Sequence, residues 1–227
     1  MSEFRAFADA GAMHAALADA IAARLSAGGS LVVSGGTTPG ALFDVLARRD
    51  APWKDVTVTL ADERWVDPGS ERSNEHLVRT RLLTAKAAAA RFVALKTADA
   101  QARDAEAAVG AAVGAIARPF DVVLLGMGED GHTASLIPGA EGLARALDTA
   151  DPALARAIVP PAATGLGERM TLTLRALLDA RWIALLIQGA AKRTAYETAM
   201  AGRDAMAAPV RAVLHQDAVP VSVFWTA

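Results

Sequence analysis

The positions of apolar residues divide the chain into two kinds of segment. Five short runs are rich in Val, Leu and Ile, at 31–33, 56–60, 122–125, 182–187 and 221–225, and most of them are apolar at consecutive positions. A strand that is apolar at every position is covered on both faces, which is typical of a parallel sheet between two layers of helices. These runs therefore predict the strands of a mostly parallel sheet.

Helical patterns separate these strands. Apolar residues recur at every fourth position from Met13 to Leu25, after Asp9, whose carboxylate is suited to cap a helix N-terminus. The alanine-rich segment 85–117 consists of good helix formers with an apolar stripe, and it predicts one or two surface helices. The alternation of strands and helices predicts an α/β fold with helices on both faces of the sheet.

Composition is that of an ordinary globular protein. The chain has 227 residues, of which 53% are apolar and 21% charged, and this length favours one domain spanning 1–227. A net charge of -2 provides no basic surface, so neither nucleic acid nor a membrane is an expected partner. The absence of cysteine excludes disulfides, and the first ten residues lack the apolar core of a signal peptide. We expect a cytoplasmic location; a monomer and a homodimer both remain open.

The segment SGGTTPG, residues 34–40, follows the first apolar run. Two consecutive glycines permit a tight turn with inward-facing N–H groups, Thr38 can cap the following helix, and Pro39 suits its first position. Free N–H groups at a helix N-terminus attract anions, most often phosphate. An ordinary strand-to-helix turn is the alternative, but it would need at most one glycine. We predict that Gly36, Thr37 and Thr38 bind a phosphate group.

Cationic residues follow two other strands and begin a third element. Arg64, in DERWV after the run 56–60, has the forked donors that suit phosphate or carboxylate oxygens. Lys192, in GAAK after the run 182–187, can hold phosphate as a point charge, and Arg169 opens the segment RMTLT. Ligands of open α/β sheets bind at the carboxyl ends of the strands, so these cations are candidates for one anion site. Solvated loops with internal ion pairs are the alternative.

The segment GMGEDGHTAS, residues 126–135, contains the pattern G-x-G-x-x-G of dinucleotide-binding turns. That motif requires a long helix from its last glycine, whereas Pro138 and Gly139 follow within eight residues, so we interpret the match as accidental. The remaining feature is His132, two residues after Asp130. We predict His132 as a general base whose tautomer Asp130 fixes. A histidine that only hydrogen-bonds its own loop is the alternative.

The sequence gives little support for a catalytic triad or for a metal site. Ser135 lies three residues from His132 without the turn that exposes a nucleophilic serine, so we interpret it as a hydroxyl at a helix terminus rather than a triad member. The other histidines, His14, His76 and His215, show no metal-ligand spacing. We predict neither a metal nor a cofactor.

Five segments, in this order, closely resemble the 6-phosphogluconolactonase family over nearly the whole chain: SGGTTPG (34–40), ADERWV (61–66) with SN (73–74), GMGEDGHTASLIPG (126–139), RMTLT (169–173) and GAAK (189–192). The resemblance implies a modified Rossmann-like fold that is shared with glucosamine-6-phosphate isomerases and deaminases. Those relatives usually carry Asp-Glu-Tyr where this chain has Asp-Glu-Arg-Trp, so the lactonase branch fits better. One departure is Ile137, where lactonases more often have phenylalanine; it is a packing exchange.

The resemblance also implies a function: hydrolysis of 6-phospho-D-glucono-1,5-lactone to 6-phospho-D-gluconate, the second step of the oxidative pentose phosphate pathway. Substrate and phosphate would be bound by Gly36, Thr37, Thr38, Arg64, Arg169 and Lys192. His132, oriented by Asp130, would take a proton from the attacking water. Asp62 and Glu63 would support Arg64.

Two other functions remain open. An amino-sugar phosphate isomerase or deaminase would use the same phosphate site but requires a carboxylate base, for which Asp62 is the obvious candidate. A sugar-phosphate-binding protein without turnover would require no base.

Overall fold

A computed structural model describes residues 2–227; Met1, the first residue of the expected domain 1–227, lies outside the described residues. The strands are β1 Glu3–Ala6, β2 Gly29–Val33, β3 Val56–Leu60, β4 Asp62–Arg64, β5 Arg91–Val93, β6 Val122–Leu125, β7 Ala155–Ile158, β8 Arg169–Leu172, β9 Ile183–Gln188 and β10 Val221–Thr226. The helices are α1 Ala10–Arg24, α2 Thr37–Leu46, α3 Asn74–Leu77, α4 Ala102–Gly114, α5 Leu143–Leu147, α6 Leu174–Leu178, α7 Ala190–Ala201 and α8 Val210–Leu214. Short 3₁₀ segments occupy Trp53–Asp55, Ala85–Ala89 and Ala162–Thr164, and a π-helical turn, Val78–Leu82, continues α3.

Seven strands form one sheet in the order β1-β10-β9-β6-β2-β3-β5, and every pairing within it is parallel. The five strands expected from apolar runs are all present in it, as β2, β3, β6, β9 and β10. All four side chains of β6 are buried, as a strand covered on both faces requires. The predicted α/β fold, a mostly parallel sheet flanked by helices, is therefore confirmed.

The strand order creates a crevice at a defined point. From β2 the chain continues outward to β3 and β5, and it then returns to β6 on the other side of β2. The connections that leave β2 and β6 therefore diverge, which opens a crevice at the carboxyl ends of these neighbouring strands. The glycine turn 34–40 and the histidine turn 126–135 both begin there.

A second, antiparallel sheet has the order β4-β8-β7. β4 begins one residue after β3, and the N–H of Leu172 at the end of β8 donates to the carbonyl of Ala61 between them at 2.8 Å. The charged segment 62–64 is therefore a strand rather than a solvated loop. Its register pairs Asp62 with Thr171 and Arg64 with Arg169.

The alanine-rich segment 85–117 differs from its prediction. Its second half forms α4, but Ala85–Ala89 is a 3₁₀ segment and Arg91–Val93 is the edge strand β5. β5 pairs with β3, where Phe92 lies opposite Val58. A strand of three residues is too short to show a period in the sequence, and its pairing outweighs the helix propensity of the neighbouring alanines.

The two expected helix starts have different outcomes. The Asp9 cap of α1 is confirmed, because its carboxylate accepts the N–H of Ala12 at 2.8 Å. α2 begins at Thr37 and not at Pro39, and its N-cap residue is Gly36 rather than Thr38. Gly36 has φ 117°, a conformation open to glycine, and this allows the earlier start.

The apolar core lies between the parallel sheet and its helices, and its largest fully buried side chains include Phe43 of α2 and Phe224 of β10. Aromatic contacts lie beside β10, where Phe7 stacks on Phe224 with ring centroids 5.7 Å apart. Within residues 2–227, no helix combines the length and the apolar character that crossing a membrane requires.

Candidate active site

The crevice at the ends of β2 and β6 contains a cavity of about 260 Å³. Eight of the predicted site residues line it: Gly36, Thr37, Thr38, Asp62, Arg64, His132, Arg169 and Lys192. The other two are close by, because Asp130 contacts His132 and the fully buried Glu63 lies between Asp62 and Arg64. Side chains from separate parts of the sequence thus share one cavity.

The glycine turn forms one wall of the cavity. The carbonyl of Gly36 accepts the N–H of Gly40 at 3.1 Å, which is the first hydrogen bond of α2. The N–H groups of Thr37 and Thr38 therefore have no acceptor within the helix. α2 has 10 residues, and its dipole adds partial positive charge at this end. The geometry is suited to an anion such as phosphate.

A steric constraint explains why the residue before Gly36 is also a glycine. A Cβ on Gly35 would overlap the carboxamide of Asn74. Asn74 is 2% exposed, lines the cavity, and donates from Nδ2 to the carbonyl of Asp62 at 2.8 Å. Its Oδ1 has no hydrogen-bond partner within residues 2–227. No role for Asn74 was predicted from the sequence, although the pair SN (73–74) is part of the family resemblance.

His132 and Asp130 form a short hydrogen bond. Nδ1 of His132 lies 2.6 Å from Oδ1 of Asp130, and the same oxygen accepts the N–H of His132 at 3.1 Å. The hydrogen bond from His132 lowers the pKa of the Asp130 carboxyl to about 2. Because an ionised carboxylate only accepts hydrogen bonds, Nδ1 carries the proton and Nε2 of the neutral ring keeps its lone pair. His132 lines the cavity, so it can accept a proton from a bound reactant.

Glycines shape the turn that carries this pair. The N–H of Gly128 donates to the carbonyl of His132 at 2.8 Å, and Gly131 has φ 79°. A Cβ on Gly128 would overlap Nδ1 of His132 and Oδ1 of Asp130, so glycine leaves the space that the pair occupies. The next helix begins only at Leu143, which agrees with the interpretation that the turn is not a dinucleotide motif.

Three cations and one acid are among the residues that line the cavity. Arg64 and Arg169 lie directly opposite each other across β4 and β8, and Lys192 belongs to the first turn of α7. Burial lowers the pKa of Arg169; the charge of Asp62 opposes this effect and that of Arg64 adds to it. Nε of both arginines is buried without a partner among the described residues. Positive charge and free donors suit an anionic ligand.

The predicted support of Arg64 by Asp62 and Glu63 is limited to its backbone, because among residues 2–227 neither carboxylate forms an ion pair with the Arg64 guanidinium. Oδ2 of Asp62 accepts a hydrogen bond from Oγ of Ser135 at 2.6 Å and lies 4.0 Å from Nη1 of Arg169. Glu63 accepts the backbone N–H of Arg64 at 2.7 Å. Ser135, interpreted as a hydroxyl at a helix terminus, is instead fully buried in the histidine turn. The hydrogen bond from Ser135 to Asp62 could not be predicted, because it joins residues 73 positions apart in the sequence.

Glu63 organises the start of α3. Its carboxylate accepts the N–H groups of Asn74 and Glu75, each at 2.7 Å, and the hydroxyl of Ser73 at 2.8 Å. Burial raises the pKa of Glu63 above its ordinary value, while these donors favour its ionised form. Glu63 thereby holds Asn74 beside Gly35.

The substitution Glu63→Gln is expected to lower the free energy of unfolding by about 1–3 kcal/mol, because an amide nitrogen cannot accept from the buried donors. Urea denaturation measures this change. Glu71→Gln, at an exposed acid in the preceding loop, is the matched control and should shift stability by less than about 0.5 kcal/mol. Equal, small changes in both variants would contradict the role of Glu63.

The chain is similar to known proteins over nearly its full length. Residues 6–225 match the family described as glucosamine-6-phosphate isomerases/6-phosphogluconolactonase. A 6-phosphogluconolactonase from Rhizobium meliloti (strain 1021) is 43% identical over 226 residues, which cover 96% of this chain and 96% of that protein. A 6-phosphogluconolactonase from Mesorhizobium japonicum is 45% identical over 229 residues, which cover 98% of this chain and 94% of that protein.

Solved structures agree with this similarity. The crystal structure of a 6-phosphogluconolactonase from Shewanella baltica OS155 has a TM-score of 0.96 and 41% sequence identity, and the match covers 100% of this chain and 98% of that one. The resemblance carried by the sequence motifs is therefore confirmed. The chain belongs to the glucosamine-6-phosphate isomerase/6-phosphogluconolactonase family.

Proposed function

We propose that the chain hydrolyses 6-phospho-D-glucono-1,5-lactone to 6-phospho-D-gluconate, the second step of the oxidative pentose phosphate pathway. Relatives at 43% and 45% identity are named for this activity. The observation that carries the proposal is a single cavity lined by His132, with its carboxylate partner, and by cations and free helix amides. A phosphorylated lactone has an anionic group, which cations and helix amides can bind. It also has an ester carbonyl, whose hydrolysis needs a base such as the histidine.

The phosphate of the substrate binds to the helix amides and the cations. The N–H groups of Thr37 and Thr38 donate to its oxygens, and the side chains of Arg64, Arg169 and Lys192 neutralise its charge. Because the phosphate does not react, its binding energy serves to orient the lactone carbonyl elsewhere in the cavity.

His132 acts as the general base. Nε2 takes a proton from water while the water oxygen forms a bond to C1 of the lactone, which gives a tetrahedral intermediate. When the bond between C1 and the ring oxygen breaks, the proton on Nε2 moves to that oxygen, which becomes the C5 hydroxyl of the product. Asp130 stabilises the imidazolium that exists between the two transfers. General-base catalysis of this kind contributes about 10²–10⁴-fold in rate.

The isomerase or deaminase alternative requires Asp62 as a base. Its carboxylate is already engaged, because Oδ2 accepts the hydroxyl of Ser135 at 2.6 Å and lies 4.0 Å from Nη1 of Arg169. These contacts favour a structural part for Asp62 over proton abstraction.

The three functions are separated by one pair of assays. The lactone is generated in place from glucose 6-phosphate with a dehydrogenase, and its disappearance is compared with and without the protein. Glucosamine 6-phosphate is supplied in a parallel reaction that is assayed for ammonia. We expect faster formation of 6-phosphogluconate and no ammonia. Ammonia without lactone hydrolysis would indicate the deaminase, and the absence of both reactions would indicate a non-catalytic protein.

Arg64→Ala is expected to raise KM for the lactone by about 10–100-fold with a smaller change in kcat, because it removes a charged donor to the phosphate. Initial rates with lactone generated in place measure both constants. Lys86→Ala is the control, since Lys86 pairs with Asp50 on the surface and is expected to leave KM unchanged. A lower kcat at unchanged KM in Arg64→Ala would contradict phosphate binding by Arg64.

Other expectations accompany the proposal. They are one lactonase domain over 1–227, a cytoplasmic location, a monomeric or homodimeric state, and a reaction without metal or cofactor. Among residues 2–227, no three or more His, Asp or Glu side chains are grouped so that they could hold a metal ion.

A further inference from the structure

Ser135, Asp62 and Arg169 form a polar chain in the wall of the cavity. Oγ of Ser135 donates to Oδ2 of Asp62 at 2.6 Å, and the same oxygen lies 4.0 Å from Nη1 of Arg169. The side chains of Asp62 and Arg169 are 6% and 12% exposed, and Ser135 is fully buried. Buried polar groups in contact have few alternative geometries, so a change at Ser135 can alter the position of Arg169.

The strand register explains why such a chain is needed. Arg64 and Arg169 are direct partners across β4 and β8, and like charges in that position repel each other. Asp62 lies two residues before Arg64 and therefore on the same face of β4. Asp62 is the acid among the cavity-lining residues, and its carboxylate lies 4.0 Å from the guanidinium of Arg169.

The histidine turn supplies the third member of this chain. Ser135 follows His132 by three residues, and its N–H donates to Oγ1 of Thr171 at 3.3 Å. Thr171 is the strand partner of Asp62. Two contacts therefore join the turn that carries the base to the strands that carry the arginines.

We infer that Ser135 is a positioning residue, whose hydroxyl fixes the Asp62 carboxylate and thereby holds the guanidinium of Arg169 in the orientation that binds the anionic group of the substrate. The inference rests on the proposed sugar-phosphate site. Without this hydroxyl the Asp62 carboxylate is free to rotate, and Arg169 can pair with it more closely. Donors that would contact the ligand are then withdrawn from the cavity.

A double-mutant cycle tests this inference, with the dissociation constant of 6-phosphogluconate measured by calorimetry. Ser135→Ala is expected to weaken binding by about five- to tenfold in the otherwise unchanged protein, and to have little effect in an Arg169→Ala background. Lys192→Ala is the matched background, because it removes another cavity cation that is outside the polar chain. There the full effect of Ser135→Ala should persist. Equal losses in both backgrounds would overturn the inference.

Asp62→Asn provides a second background for the same comparison. Its amide lacks the negative charge that would draw Arg169 away from the ligand, so Ser135→Ala is expected to have little further effect on binding in this background. A loss as large as in the unmodified protein would overturn the inference. Thermal unfolding of each variant confirms that the protein measured is folded. If the unmodified protein does not bind 6-phosphogluconate, the proposed function and this inference both fail; if it binds but the cycle shows no coupling, only this inference fails.

Discussion

His132→Ala is expected to lower kcat for lactone hydrolysis by about 10²–10⁴-fold, while affinity for 6-phosphogluconate remains nearly unchanged. The substitution removes the proton acceptor but leaves the helix amides and all three cations of the cavity in place. Initial rates with lactone generated in place give kcat, and calorimetry gives the affinity. The loss should therefore appear in the chemical step and not in binding.

His76→Ala is the control for this experiment. It is the same substitution at a partly exposed position in α3, outside the residues that line the cavity, and it should retain full kcat. If His132→Ala hydrolyses the lactone as fast as the unmodified protein, the assigned base is wrong.

The substitution Gly128→Ala is expected to reduce kcat by about 10²-fold, because the added methyl group displaces the pair of His132 and Asp130. A Cβ at this position would overlap Nδ1 of His132 and Oδ1 of Asp130, so the pair must shift or separate. A displacement of about 1 Å at a reacting group is enough for a loss of that size. Steady-state kinetics measures the loss, and the binding of 6-phosphogluconate should persist.

Gly110→Ala is the matched control, because a Cβ there would meet no atom within 4 Å. Gly110 lies inside α4, where alanine is the better helix former, so this variant should keep full activity and gain up to about 1 kcal/mol in stability. Unchanged kcat in Gly128→Ala would mean that the histidine turn tolerates movement, contrary to the geometry described above.

The sequence predicts the parallel sheet well, because its central strands are long enough to show continuous apolar runs. Five strands, β1, β4, β5, β7 and β8, were not predicted, and β5 and β4 illustrate two reasons. β5 is three residues long beside a stretch of alanines, and β4 is entirely charged or polar. Their strand character arises from pairing with partners elsewhere in the chain, which leaves no period in the sequence.

Much of the candidate site could also be predicted, because the topology of a parallel sheet brings together residues that are far apart in the sequence. Residues that follow parallel strands meet at the carboxyl edge of the sheet, so His132, Arg64, Lys192 and the glycine turn were expected together. The roles of the acids could not be predicted. The hydrogen bond between Ser135 and Asp62 joins residues 73 positions apart, and it depends on how a turn packs against the second sheet.

A crystal structure of the protein with 6-phosphogluconate bound would show whether the cavity holds the phosphate and the reacting carbon where catalysis needs them. We expect the phosphate beside the N–H groups of Thr37 and Thr38 and the cationic side chains, with the C1 carboxylate within hydrogen-bonding distance of Nε2 of His132. A complex in which the phosphate binds away from the glycine turn, or in which C1 lies remote from His132, would contradict the proposed mechanism.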